Sequence, residues 1–309
     1  METKIDRRTF IKGFAAAAAG VGLAVSGAGK VFAEPRSGTA GTGTLPTRIL
    51  GKTGAPVTIL GLGGLFTTSM ASRRDEAVQI VNRAIDLGVN YIDTSAMYGG
   101  GGSETNIGYV MKDRRDEVFL ATKSHDYTYD GAMRLFEQSL RRLQTDRIDL
   151  YQHHYLNSQT LGQLRGRNSA RQAFEKLRDD GTVRFLGVTG HSSRVLADAL
   201  EDYPYDCALI TLNAAGEVMD DPGHLDRFFR IAREKNVGVI AMKVVARGDL
   251  ITRGLTIRQL LPYVLSYPVS TAVIGISDIQ VLEEDVRVAK EFRPMAEPDM
   301  RDLEARARR

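Results

Sequence analysis

The sequence predicts an α/β chain folded as a (β/α)8 TIM barrel with an N-terminal β-hairpin. Three observations carry this prediction. From residue 47 onward, eight short and nearly continuous apolar runs alternate with amphipathic stretches. Such runs read as strands buried on both faces, hence a parallel sheet covered by helices. Eight strand–helix units in about 240 residues suit a closed barrel better than an open doubly wound sheet.

The elements follow in chain order. Residues 1–33 read as a twin-arginine signal peptide: Arg7 and Arg8 precede Phe10-Ile11-Lys12, an alanine- and glycine-rich apolar stretch follows, and "VFAEP" offers a cut after Ala33. The apolar stretch is short and mild, so no stable membrane span is expected after processing. Residues 34–46, "EPRSGTAGTGTLP", read as a linker to the barrel domain, residues 47–309. "TRILG" and "PVTIL", separated by Lys52-Thr53-Gly54-Ala55, form the hairpin. The eight runs are "ILGLGG", "VNYIDTS", "VFLATK", "IDLYQHH", "VRFLGVTG", "CALITLN", "VGVIAMKVV" and "TAVIGIS". Helical spacing separates most of them; in "RRDEAVQIVNRAIDLG", Ala77, Val78, Val81, Ile85 and Leu87 share one face and Gly88 marks the stop. "GLGGLF" holds two glycines of a dinucleotide fingerprint, but Phe66 takes the third place and no helix follows directly.

Charge narrows the function. The chain has 41 basic and 38 acidic residues, and without residues 1–33 the two are equal at 36 each. A neutral body with no basic run argues against a nucleic-acid partner. The single Cys207, inside "CALITL", excludes an internal disulfide and reads as a buried strand residue.

In a barrel of this kind, active residues lie at the C-terminal ends of strands. The second strand ends at Asp93 with Tyr98 in its loop, the third at Lys123, the fourth at His154, the fifth at Thr189-Gly190-His191. These groups have complementary proton chemistry. A tyrosine is a weak acid at neutral pH; a nearby ammonium favours its phenolate and eases proton donation. Lys123 is that ammonium, with Asp93 holding it charged, and His154 donates to an oxygen gaining negative charge. An acid and an oxyanion donor, with no nucleophile and no metal set, suit hydride addition to a carbonyl, the hydride coming from a cofactor. His153 and His154 point to opposite faces of their strand, so one faces the helices. Glycines 99–102 also admit a plain reading as a flexible loop, with Ser103 as a helix N-cap.

"NYIDTSAMYGGGGSE", "VFLATKSH", "RIDLYQHHY", "FLGVTGHS" and "STAVIGISDIQVLEED" resemble, in order, the signatures of the aldo-keto reductase family, over residues 47 to about 292. The resemblance implies that Tyr98 is the general acid, that Asp93 and Lys123 tune it, and that His154 orients the substrate carbonyl. It also implies a nicotinamide cofactor, NADP(H) or NAD(H), bound without a Rossmann domain, and an aldehyde, ketone or sugar-like substrate. The leader resembles the signal read by the Tat export machinery, which carries folded proteins, often with cofactor loaded. A periplasmic or extracellular destination follows.

The cofactor side departs from the family. Thr189 and Gly190 stand where Ser-Asn usually holds the nicotinamide amide, Leu209 where a glutamine is usual, and Met242 where a tyrosine stacks, with Lys243 beside it. Asn213, closing the sixth run, joins the candidate set. The usual cationic grips on a 2′-phosphate are replaced by residues from Gly275 to Ser277 and by Val281. Glu284 and Asp285 remain near the adenine position, and Lys243 and Arg247 are candidate replacement cations. Losing charge-assisted bonds puts a preference for NADPH in question. Two other functions are open to these residues: a metal-dependent hydrolase using Asp93, His125, His154 and His191, and a non-catalytic dinucleotide-binding sensor or partner domain.

Overall fold

The computed structural model describes residues 44–309; the leader and most of the linker lie outside that range. A two-stranded antiparallel hairpin, β1 (Thr47–Ile49) and β2 (Pro56–Thr58), precedes the barrel. The barrel strands are β3 (Leu60–Phe66), β4 (Tyr91–Asp93), β5 (Phe119–Ser124), β6 (Ile148–Leu156), β7 (Val183–Gly190), β8 (Cys207–Thr211), β9 (Gly238–Met242) and β10 (Thr271–Ile276). Neighbours in sequence pair in parallel, and β10 closes the ring against β3 and β9. The expected fold class is therefore the observed one.

The helices are α1 (Arg74–Asp86), α2 (Gly102–Arg114), α3 (Tyr129–Leu143), α4 (Ser158–Leu164), α5 (Ala170–Asp179), α6 (Ser193–Asp202), α7 (Leu225–Glu234), α8 (Asp249–Thr252), α9 (Ile257–Leu265), α10 (Ile279–Lys290) and α11 (Glu297–Ala307). Helices α4 and α11 are among those not expected. The polar loop after β6 folds into α4 because Asn157 and Thr160 form a capping box, each accepting the other's backbone N–H at 2.9 Å. After Pro298, α11 buries Met300, Leu303 and Ala307 along one face. Leu45, inside the expected linker, is buried, and Pro46 O accepts the Ile59 N–H at 3.0 Å.

Two cores result from the alternation of side chains along each strand. Inward residues Tyr91, Phe119, Ala121, Leu150, Cys207, Leu209, Ile240, Met242 and Val273 fill the barrel with Leu50, Ala55 and Val57 of the hairpin. The hairpin thus plugs one end, and Cys207 is a buried strand residue as expected. Gly51 makes the plug possible. Its φ is +52°, and a Cβ there would lie 2.2 Å from the Gly238 backbone nitrogen. Outward residues pack under the helices. His153 stacks on Phe174 at 3.8 Å between ring centroids, with both ring nitrogens buried and unpartnered.

Burial and Arg171 push the His153 pKa from 6.5 down to about 3. An unfolded chain takes up that proton below pH 6.5 and the folded one does not, so this residue costs stability as pH falls toward 3. His153→Phe keeps the stack and removes the titration. It should leave neutral-pH stability within about 1.5 kcal/mol and flatten the acid limb of stability against pH in urea unfolding. An unchanged slope would show that His153 does not set the acid limb.

Candidate active site

The same alternation that fills the barrel builds the site. Above the apolar layers, the next inward positions are polar: Asp93 on β4, Lys123 on β5, Gln152 and His154 on β6, Thr189 on β7. All are buried. Lys123 Nζ donates to Asp93 Oδ1 and, at 2.7 Å, to the Thr94 carbonyl. Gln152 Nε2 donates to Asp93 Oδ2 at 3.1 Å. The lysine head lies 5.0 Å from the Tyr98 ring centroid, and the His154 ring stands edge-on to Tyr98 at 5.6 Å. Asp93, Tyr98, Lys123 and His154 therefore converge on one rim, and of the paired histidines His154 is the inward one.

The loop carrying Tyr98 is fixed from behind. Ser103 is not an N-cap. It lies inside α2, where its hydroxyl meets Thr94 Oγ1 at 2.7 Å, and Gly101 occupies the capping position. Glu104, fully buried, accepts from Thr122 Oγ1 at 2.7 Å and faces the Arg142 guanidinium at 3.4 Å. Arg142 also donates to the Ala96 carbonyl at 3.4 Å. Two of the glycines are required: Gly99 (φ +59°) crosses Ser69, and Gly101 (φ +98°) leaves no room for a Cβ against Arg142. The serine–glutamate pair is thus the anchor of the loop.

The electrostatics are a contest between burial and charge. Burial is the largest single influence and opposes the Lys123 ammonium, but Asp93 and Tyr98 together outweigh it and the pKa is raised, so Lys123 is charged. Burial raises Tyr98 above its ordinary value; Lys123 works against that rise without reversing it. The expectation of a tyrosine lowered by its lysine is corrected here, because desolvation of the phenolate is the larger effect. His154 is pushed down to about 2 by burial and by Lys123, and is neutral. Its Nδ1 lies 3.1 Å from Ser95 Oγ, which accepts the Met97 N–H at 3.3 Å. In the tautomer in which Ser95 donates to Nδ1, Nε2 carries the ring hydrogen and can donate.

Residues 58–261 match the aldo/keto reductase family. The chain belongs to that family. Membership makes the protein an oxidoreductase working with NADP(H) or NAD(H). Residues 4–24 match the twin-arginine translocation signal sequence, which directs export by that route. Among relatives, L-galactose dehydrogenase of Arabidopsis thaliana is 30% identical over 218 residues, covering 67% of each chain. The thermostable aldo-keto reductase Tm1743, solved with the inhibitor epalrestat, is 26% identical and superposes with a TM-score of 0.70 over 85% of this chain and 100% of its own. An aldo/keto reductase of Klebsiella pneumoniae, solved with NADP and acetate, shares the fold at 24% identity, TM-score 0.70, over 86% and 96% of the two chains.

The residues expected to hold the cofactor are spread over strand ends, the loops beyond them and α10. Thr189 and Gly190 end β7, Met242 ends β9, and half-buried Lys243 follows it with φ +64°. Arg247 (φ +63°) is exposed in the next turn; neither cation has an ion-pair partner among the described residues. Burial and Arg247 hold Lys243 below the usual lysine value, and burial with Lys243 takes His191 down to about 4. Asn213 lies past β8 and spends its amide on its own loop, donating to the Glu217 carbonyl at 2.8 Å and accepting the Glu217 N–H at 3.1 Å. Gly275 lies under the Phe66 ring. Ser277 donates to Asp278 at 2.9 Å, and Glu284 pairs with Arg258 at 2.9 Å and with Arg287. Asp285 is buried with Oδ2 unpartnered, and burial with Glu284 lifts it to about 7. Unpaired Lys243 and Arg247 and the orphan Asp285 oxygen suit a ligand with phosphates at one end and N–H groups at the other. Among the described residues no cluster of three or more His, Cys, Asp or Glu is arranged for a metal, and no helix is long and apolar enough to cross a membrane.

Asp93→Asn leaves a buried ammonium without its countercharge. The variant should lose about 3–5 kcal/mol of stability, and the deficit should narrow at alkaline pH as Lys123 sheds its proton. A loss below about 1 kcal/mol, typical of surface pairs, would mean that the pair is not buried in solution.

Proposed function

We propose that this exported reductase adds hydride to an aldehyde, ketone or sugar-like carbonyl, with Tyr98 as proton donor. The observation that carries the reading is the convergence of Tyr98, charged Lys123 and neutral His154 on one rim. The dinucleotide, when bound, supplies the hydride. His154 Nε2–H holds the carbonyl oxygen, and the Tyr98 hydroxyl, protonated at neutral pH, delivers its proton to that oxygen as negative charge develops. Lys123 then faces the phenolate left behind, and Asp93 keeps Lys123 in place. Phe66, Met97 and Tyr155 expose apolar surface at the rim, with Tyr127 hydrogen-bonded to the His154 carbonyl. A small carbonyl with one apolar side and one polar side fits this lining. The Arabidopsis relative, named for L-galactose, supports a sugar-like member of the class. The product is released beyond the cytoplasmic membrane, in the periplasm.

Tyr98→Phe should cut turnover by at least about 100-fold while dinucleotide binding survives. In the wild-type enzyme, carbonyl reduction should fall as pH rises through the elevated Tyr98 pKa. More than about a tenth of wild-type turnover in Tyr98→Phe would remove the tyrosine from the role of acid, since a positioned acid is worth ~10²–10⁴.

Cofactor choice follows from α10. Its N-terminus is filled by the chain's own carboxylate: Asp278 accepts the Val281 N–H at 2.9 Å. That anion sits between the positions where the family grips a 2′-phosphate. The cations around Asp278 and Glu284 are Arg73, Arg258 and Arg287, each paired with a carboxylate. Charged hydrogen bonds are worth ~1.5–3 kcal/mol, and each 1.4 kcal/mol is about tenfold. Their loss, with an added anion, predicts NADH binding at least as tight as NADPH. Asp278→Asn, which keeps the cap, should favour NADPH selectively. Fluorescence titration showing NADPH preferred by about 100-fold or more, unchanged in Lys243→Ala and Arg247→Ala, would overturn this assignment.

A further inference from the structure

Gln152 has no role in the chemistry above, yet it is fully buried at the centre of the polar layer. Its Nε2 donates to Asp93 Oδ2 at 3.1 Å, and its Oε1 accepts from Thr189 Oγ1 at 3.1 Å. The amide has only one workable orientation. An ionised carboxylate offers lone pairs alone, so the NH₂ must face Asp93. Oε1 then faces Thr189, and among the described residues the group that satisfies it is the hydroxyl proton. A hydroxyl that has placed its proton inward presents lone pairs to the rim.

We infer that Gln152 is a positioning residue that transmits the charge of Asp93 to Thr189, holding the Thr189 hydroxyl as an acceptor for an amide N–H of the bound dinucleotide. The inference rests on the reading of Thr189 as a dinucleotide contact. It links the acid-tuning pair to the cofactor site through two hydrogen bonds. Polarisation along such a chain is mutual: an N–H donated to Thr189 strengthens the bonds to Gln152 and, through it, to Asp93.

The test uses the full-length folded enzyme, with NADH and NADPH titrated by fluorescence quenching. Gln152→Leu and Thr189→Val should each weaken binding by about tenfold, and the double variant should bind no worse than either single one. Gln152→Glu separates positioning from packing. Beside Asp93 its carboxyl has a raised pKa; protonated, it donates to Asp93 and accepts from Thr189 as glutamine does. Its affinity should approach wild type at acidic pH and fall as pH rises, relative to wild type at each pH. Binding by Gln152→Leu within about twofold of wild type, losses that multiply in the double variant, or a pH-independent ratio for Gln152→Glu would each overturn the inference. Binding is read without turnover, so failure of Tyr98 as the acid would leave this result standing.

Discussion

The site depends on one buried ion pair. Lys123 is fully buried, and its charge survives only because Asp93 and the Thr94 carbonyl receive it. Isolated, either charge would neutralise rather than remain ionised in an apolar interior. The pair in turn needs a partner for the second carboxylate oxygen, which Gln152 provides. It also needs a dry floor, which the hairpin and the aromatic layer of Tyr91, Phe119 and Phe185 supply. Remove the plug and water reaches the pair from below; remove the pair and the tyrosine loses its neighbouring cation.

Two opposing effects then set the acid. Burial alone would weaken Tyr98 further as an acid, while the ammonium of Lys123 pulls its pKa the other way. The observed balance keeps it protonated with a cation poised beside the anion it becomes. The same burial and the same cation keep His154 neutral. One lysine therefore adds to the burial that keeps the imidazole neutral and favours the phenolate, and these two states are the ones needed at the start and at the end of proton transfer.

The strands and the four rim residues were legible because both obey simple periodicities: apolar runs mark buried strands, and chemistry sits where those runs end. Gln152 obeyed the same rule, two residues before His154 on the same face. A single amide in an apolar run carries no motif that marks it. Glu104 and Arg142 were hidden for another reason: their meeting joins α2 to α3 across 38 residues, and no local pattern announces it. The sign of the Tyr98 shift was misjudged because the sequence shows the neighbouring charge but not the depth of burial. Helix α4 escaped because a polar capping box, not an apolar face, begins it.

Folding and export meet in the polar layer. Asp93 and Gln152 are 59 residues apart in the chain, and Gln152 and Thr189 are 37 apart. Neither hydrogen bond is local, so the polar layer exists only once β4 to β7 have closed around it. An unfolded chain would have no dinucleotide site to offer, and a soluble dinucleotide is made in the cytoplasm. The twin-arginine signal directs the chain to a route that carries folded proteins. A polar layer assembled from four separate strands must form before any dinucleotide can bind beside it, and a route that accepts a folded barrel is compatible with that order.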